Sequence, residues 1–326
     1  MNDFAKHLAA FDGVKPFVGR APTGFTVDCM GVLTDINFHP PWEAAPAAGG
    51  DVDVYTGFPT PADGEIFCEM VGWFEAAREA REHYTMVTLG ALYGTQAVGA
   101  LLALKKINPL PTRLVAVEPD PGNFAWLKKH FRDNGLDPDH HWLLNCAVSN
   151  NNAPVLFPIG GTGTGGGNCM STNPAELRAL YAEALVQSGD LPAVVRRLIV
   201  HGDTGIETPV DPEHDFKAVL KFVSAVTLAD VLGPLERVDL LDSDMQQSES
   251  IVFPAAMDLI ADKVRRVHIG THGEEVHAAL LQQFIEHGFE IVFNLTPTTE
   301  YATDWGAFRT QDGVITALNR ELSTAA

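Results

Sequence analysis

Apolar and polar positions come in blocks along most of the chain, and the blocks switch period. From Glu65 to Tyr84 (EIFCEMVGWFEAAREAREHY) apolar residues recur at helical spacing, and TMVTLGALYG then runs as a buried strand into glycines. TQAVGALLALKKI reads as a helix and RLVAVEP (Arg113 to Pro119) as a strand. PGNFAWLKKHFRDNG reads as a helix with Pro121 in its first turn and Gly135 past its end, and HWLLNCAVS as another strand. The rhythm breaks between Pro158 and Phe222, which holds the glycine-dense GGTGTGGGN (Gly160 to Asn168), a helix near Pro174 to Val186 and the turn-rich HGDTGIETPVDPEHD. It resumes with RVDLLDSD (Arg237 to Asp244), a helix to about Asp262, RRVHIGTH (Arg265 to His272), the helix GEEVHAALLQQFIEHG, and the strands FEIVFNL and GVITALN. Such alternation predicts a parallel sheet covered on both faces, an α/β doubly wound fold. Residues 1–80, rich in Pro and Gly up to about Ala62, read as an N-terminal extension of short strands and a helix. Residues 81–326 read as the main domain, with an insertion at about 158–224.

Composition narrows the function. Of 326 residues 46% are hydrophobic and 20% charged, enough apolar surface for a globular core. Lys+Arg number 22 against 42 Asp+Glu, a net charge of −20. A field of that sign repels nucleic-acid backbones and anionic membrane surfaces, so a small-molecule partner is expected, and neither nucleic acid nor membrane. Four cysteines (Cys29, Cys68, Cys146, Cys169) without a C-x-x-C pair suit a reducing, cytoplasmic setting. The N-terminal residues show no basic leader before an apolar run, and the uncharged stretch Tyr84 to Leu104 is broken by Gly90, Gly94 and Gly99. It reads as a strand and helix rather than a membrane span.

In an open parallel sheet, ligands bind beyond the carboxyl ends of the strands. The first strand ends Gly90-Ala91-Leu92-Tyr93-Gly94; Leu92 and Thr95 break the dinucleotide pattern G-x-G-x-x-G, and a tight turn without ligand reads equally well. Glu118, at the end of the second strand, suits a ribose diol or is a plain surface charge, while Asp120 before Pro121 caps the next helix. Cys146 and Ala147 offer small side chains for a flat ring, or ordinary packing. Asp242 and Asp244, two apart on an extended segment, and Glu249 nearby could hold a divalent cation, bind a cationic group or supply a general base; alternatively Asp244 alone is functional and Asp242 faces water. Thr271 and Glu274 have capping-box spacing, which predicts His272 in a helix's first turn, neutral and able to accept a proton. His268 faces elsewhere and His277 lies a turn further on, so no histidine metal cluster is expected.

Taken together, these strand ends resemble the FkbM family of S-adenosylmethionine-dependent methyltransferases. The likeness runs from about Tyr84 to Asn319 outside the insertion, through VAVEPDPGNFAWLKKHFRDNG (Val115 to Gly135), NCAVSN (Asn145 to Asn150), TLADVLGPLERVDLLDSDMQQSE (Thr227 to Glu249) and HIGTHG. Thr88 stands where the family has Asp, Leu92 where it has Asn, Gln246 and Gln247 where it has Glu-Gly, and Asp242 where Lys is usual. The resemblance implies a class I Rossmann-like methyltransferase sheet, mostly parallel with an antiparallel last strand, and S-adenosyl-L-methionine as cofactor. Gly90, Ala91 and Gly94 would lie along its methionine part, Glu118 would hold the ribose, Cys146 and Ala147 would flank adenine, and Asp244, Glu249 and His272 would face the acceptor. No metal ligands are assigned. The implied activity is O-methylation of a hydroxyl on a sugar or secondary metabolite. The glycine-dense loop, Gly160 to Asn168, reads on its own composition either as part of a substrate lid or as a disordered surface excursion. Two alternatives stay open: a nucleoside-binding protein without transfer chemistry, suggested by Thr88, Leu92, Gln246 and Gln247, and a nicotinamide oxidoreductase using Glu118.

Overall fold

Seven apolar runs form one sheet in the computed structural model, which describes residues 4–38, 52–160, 207–211 and 216–324. In chain order the strands are β1 (Tyr84–Leu89), β2 (Thr112–Val117), β3 (Trp142–Leu144), β4 (Leu240–Ser243), β5 (Arg266–Thr271), β6 (Glu290–Leu295) and β7 (Gly313–Leu318). Their spatial order is β6-β7-β5-β4-β1-β2-β3. β3, β2, β1, β4 and β5 pair in parallel, and β7 lies antiparallel between β5 and β6. The order and the antiparallel β7 give the mostly parallel, Rossmann-like doubly wound sheet with an antiparallel last strand that the sequence leads one to expect.

The helices are α1 (Glu65–Glu79), α2 (Thr95–Ile107), α3 (Pro121–Asp133), α4 (Leu228–Leu232), α5 (Glu249–Val252), α6 (Met257–Lys263), α7 (Glu274–Glu286) and α8 (Arg320–Thr324). Alternate strand residues feed two cores, as a sheet covered on both sides requires. Met86, Ala116, Leu240 and Val314 pack with Trp73, Phe74 and Leu101 of α1 and α2. Val87, Val115, Leu241, Val267 and Ile315 pack with Val252, Ile260, Leu280 and Phe284. Asp120 caps α3, accepting from the N–H groups of Gly122 (2.6 Å) and Asn123 (3.1 Å), and Gly135 past its end has φ +67°.

The described part of the extension leans on α1. The 3-10 turn Phe4–Phe11 sets Phe4 and Phe11 against Phe67, and Arg78 donates to the Ala10 carbonyl. At the amino ends of the strands, buried Arg266 meets Glu75 at 2.8 Å and Glu79 at 3.5 Å, while Arg265 reaches Asp239 at 3.6 Å.

Three local expectations are corrected. HWLLNCAVS is two strands: Asn145 turns the chain by donating to the Glu118 and Pro119 carbonyls, and Ala147–Ser149 then pairs in parallel with Ala225–Thr227. The helix expected to reach Asp262 is two pieces, α5 and α6, because Pro254 lacks an N–H and its ring clashes with the preceding turn. Thr271 does not cap α7; it ends β5 fully buried, and Gly273 precedes the helix. The Thr271 hydroxyl instead donates to His277 Nδ1 (2.7 Å), whose Nε2–H donates to Asn294 (2.8 Å). Within the expected insertion, Phe216–Val223 pairs antiparallel with Val155–Gly160 and Glu207–Asp211. The glycine run after Gly160, Cys169 and the helix expected near Pro174 to Val186 lie outside the described residues, so the lid does too. No helix among the described residues is long and apolar enough to cross a membrane.

Candidate functional site

The carboxyl ends of β1, β2 and β4 open onto a shallow recess, about 280 Å³ of empty space when the open solvent at its mouth is counted, lined by Gly90, Val117, Pro119, Cys146, Ala147, Val148, Phe157 and Met245. Three of the residues assigned by resemblance to the cofactor therefore share one wall. Gly90 has φ +76°, and a Cβ there would overlap the Asp244 carbonyl oxygen, so only glycine lets β4 pass. Ala91 is fully buried, and both Gly90 and Ala91 donate to the Val117 carbonyl at 3.0 Å. Gly94, with φ +87°, leaves room for Leu127 of α3.

Glu118 is 4% exposed and lies in the chain between Val117 and Pro119, which line the recess. Its Oε2 accepts from the Leu92 N–H and its Oε1 from the Asp120 N–H, both at 2.8 Å. Burial pushes its carboxyl up to about 8 against these hydrogen bonds, so near neutral pH it can both donate and accept. The Asn123 side chain donates to this carboxyl as well.

Next to the recess stands His272 between acids. Its Nε2 is 3.3 Å from Asp244 and 3.9 Å from Asp312, and its Nδ1 is 3.4 Å from Glu249. The three residues expected to face the acceptor are thus gathered. Asp244 follows β4, Glu249 opens α5, and His272 follows β5. Glu249 is fully buried, its Oε1 accepting from the Met245 N–H at 2.6 Å. Burial pulls the His272 imidazole down, but the Glu249 contact and the charges of Asp244, Glu249 and Asp312 override it and hold the ring up to about 9. The expected neutral imidazole is corrected: near neutral pH His272 is an imidazolium clamped by carboxylates. Asp244 keeps a side chain 48% exposed. Its carboxyl is pushed up to about 6, by burial first, with His272 opposing and Glu249 and Asp312 adding.

Asp242 and Asp244 do not share one site. Asp242 is 3% exposed and faces Glu69 and His268 on the α1 side of the sheet rather than water. The sequence reading also missed Glu65, whose carboxylate stands by Gly270 and whose proton affinity is raised by burial and then by Glu69 and Asp244. Asp312 was missed as well, though a signal existed. The expected antiparallel last strand must begin where the parallel strands end, and Asp312 precedes its first residue, which pairs with Thr271. Phe157 and Met245 complete the recess without any sequence signal.

No protein-family model matches the chain. A protein of Jannaschia sp. (strain CCS1) named "Putative methyltransferase" is 24% identical over 239 residues, 72% of this chain and 73% of that protein. Among solved structures, the methyltransferase FkbM from Methylobacillus flagellatus KT is 13% identical with a TM-score of 0.41, covering 77% of this chain and 51% of that one. A "putative RNA methyltransferase" from Pyrococcus horikoshii is 12% identical with a TM-score of 0.38, covering 80% of this chain and 85% of that one.

Proposed function

We propose that this chain is an S-adenosylmethionine-dependent methyltransferase of FkbM type, acting on a hydroxyl of a small molecule. The observation that carries the reading is the meeting of two different surfaces at Gly90 and Asp244: an apolar recess whose lining residues Val117 and Pro119 flank Glu118 in the chain, and the exposed Asp244 carboxyl held by His272. Glu118 would hold the ribose, with Cys146, Ala147 and Met245 around the adenine. The bound cofactor supplies a methyl carbon made electrophilic by its sulfonium.

The chain's own residues then handle the acceptor. Asp244 would take the hydroxyl proton and hold the acceptor oxygen toward the methyl group that the cofactor would supply. With a carboxyl near 6, Asp244 is a base matched to neutral pH. His272, already protonated, keeps that carboxylate oriented rather than acting as the base. The net charge of −20 favours a neutral or cationic acceptor over a polyanion.

Calorimetric titration with S-adenosylmethionine and S-adenosylhomocysteine, followed by transfer assays on hydroxylated small molecules and on RNA oligonucleotides, tests this reading. Both nucleosides should bind, and Glu118→Ala should weaken them at least about tenfold, the loss of one good charged or bidentate contact. Asp244→Asn should bind normally and turn over about a hundredfold more slowly. Absence of binding sinks the cofactor assignment, and transfer to RNA alone replaces the acceptor class. Tight binding without turnover on any acceptor favours the second reading, a nucleoside-binding protein, for which Leu92 and Gln247 in strained backbone positions speak.

A further inference from the structure

Away from the crevice, strand register puts three potential metal ligands side by side. Asp242 pairs with His268 across β4 and β5, so both side chains leave the same face, the one covered by α1. Glu69 of α1 comes down on them. One carboxylate oxygen from Glu69, one from Asp242 and one ring nitrogen of His268 all lie within 4.8 Å of one another. We propose that Glu69, Asp242 and His268 form a divalent-cation site that joins α1 to β4 and β5 beneath the crevice.

The polar atoms there are built for a ligand rather than for each other. Asp242 is 3% exposed, and its Oδ2 has no hydrogen-bond partner among the described residues. An unpaired buried carboxylate oxygen is costly unless a proton or cation answers it. His268 is 4% exposed, and its ring is fixed by the Thr316 hydroxyl at 2.9 Å from Nδ1, leaving Nε2 as a ligand atom. Gln96 hydrogen-bonds Glu69. A fixed histidine and a hydrogen-bonded carboxylate are the outer contacts that metal ligands ordinarily have. One imidazole with two carboxylates suits Zn²⁺ or Mn²⁺, with water completing the coordination; it offers too few oxygens for Ca²⁺. Half-buried Glu69 gives the ion its way in. Asp242 lies two residues before Asp244, about 7 Å along a strand, which separates this site from the acceptor cluster.

The full chain, stripped with a chelator and dialysed against Zn²⁺ or Mn²⁺, provides the test through bound metal per chain and melting temperature. About one ion per chain is expected in the wild type and in Asp244→Asn, with a higher melting temperature than the stripped protein. Glu69→Gln and Asp242→Asn should each weaken the ion at least tenfold. A wild type that retains no ion overturns the proposal, because a shared proton then suffices for Glu69 and Asp242. Unchanged affinity in Glu69→Gln also overturns it, as does loss in Asp244→Asn alone, which would move the ion to the crevice. Should Asp242→Asn fail to fold, Glu69→Gln at its half-buried position gives the same reading.

Discussion

Leu92 and Gln247 hold backbone conformations that suit other residues. Their φ values are +48° and +77°, in the left-handed region where a Cβ crowds the carbonyl oxygen at about 1–2 kcal/mol. The resemblance aligns them with an Asn and a Gly, the two residues that enter this region most readily. The departures therefore change the side chains while the turns survive, and Leu92 keeps its N–H on Glu118. Leu92→Asn and Gln247→Gly should each stabilise the protein by about 0.5–1 kcal/mol, a rise of about 1–3 °C in melting temperature for a chain of this size. Lower melting temperatures in both would mean that the native side chains contribute packing that outweighs the strain. Residues like these were legible as departures from a pattern; their backbone cost was not, because a sequence does not display φ. The ionisation of His272 was equally hidden. It depends on Asp244, Glu249 and Asp312, which reach one ring from three separate segments.

Elements were easier to read than the contacts between them. The helical span of TQAVGALLALKKI and the Asp120-Pro121 start are local signals, and α2 and α3 follow them residue for residue. That α1 would bring Glu65 and Glu69 to the ends of β4 and β5 was not legible, since only tertiary packing fixes which strands a preceding helix covers. Two glycines expose this packing. In α1, a Cβ at Gly72 would meet nothing within 4 Å, whereas in α2 one at Gly99 would collide with the ring of Trp73, itself 3% exposed. Both are helical, so alanine at either gains about 1 kcal/mol of propensity. At Gly99 the overpacked ring, with nowhere to move, costs about 1–3 kcal/mol and pries α1 from α2. Gly72→Ala should thus raise the melting temperature and Gly99→Ala lower it, as thermal unfolding followed by circular dichroism would show. Equal rises in both would mean that α1 sits further from α2 than their packing implies.

Across the whole molecule, charge sets the conditions under which this fold is most stable. The net charge of −20 already disfavours the compact state, and the crevice concentrates carboxyls whose proton affinity the fold raises. Glu118 goes from 4.5 to about 8, chiefly by burial, and His272 from 6.5 to about 9, where its acidic partners override burial. In both, the folded state holds the proton more tightly than the unfolded chain. Their stabilisation is complete below the ordinary value and lost as pH climbs through the folded one, from about 4.5 to 8 for Glu118 and from 6.5 to 9 for His272. Glu75 works in the opposite direction. Against its burial, His7 and Arg266 lower its carboxyl, and that stabilisation is lost on acidification. Stability of the chelated protein should therefore peak in mildly acidic solution and decline steadily between pH 6.5 and 9. Added salt should soften the decline by screening the excess acid charge. Replacing His272 with Gln removes the contribution that persists to the upper end of that interval, so the variant should start less stable at pH 6.5 and converge on the wild type by pH 9. Melting temperatures that stay level or rise across the interval in the wild type would mean that His272 is not held as an imidazolium, and with it the orientation of Asp244 would lose its physical basis.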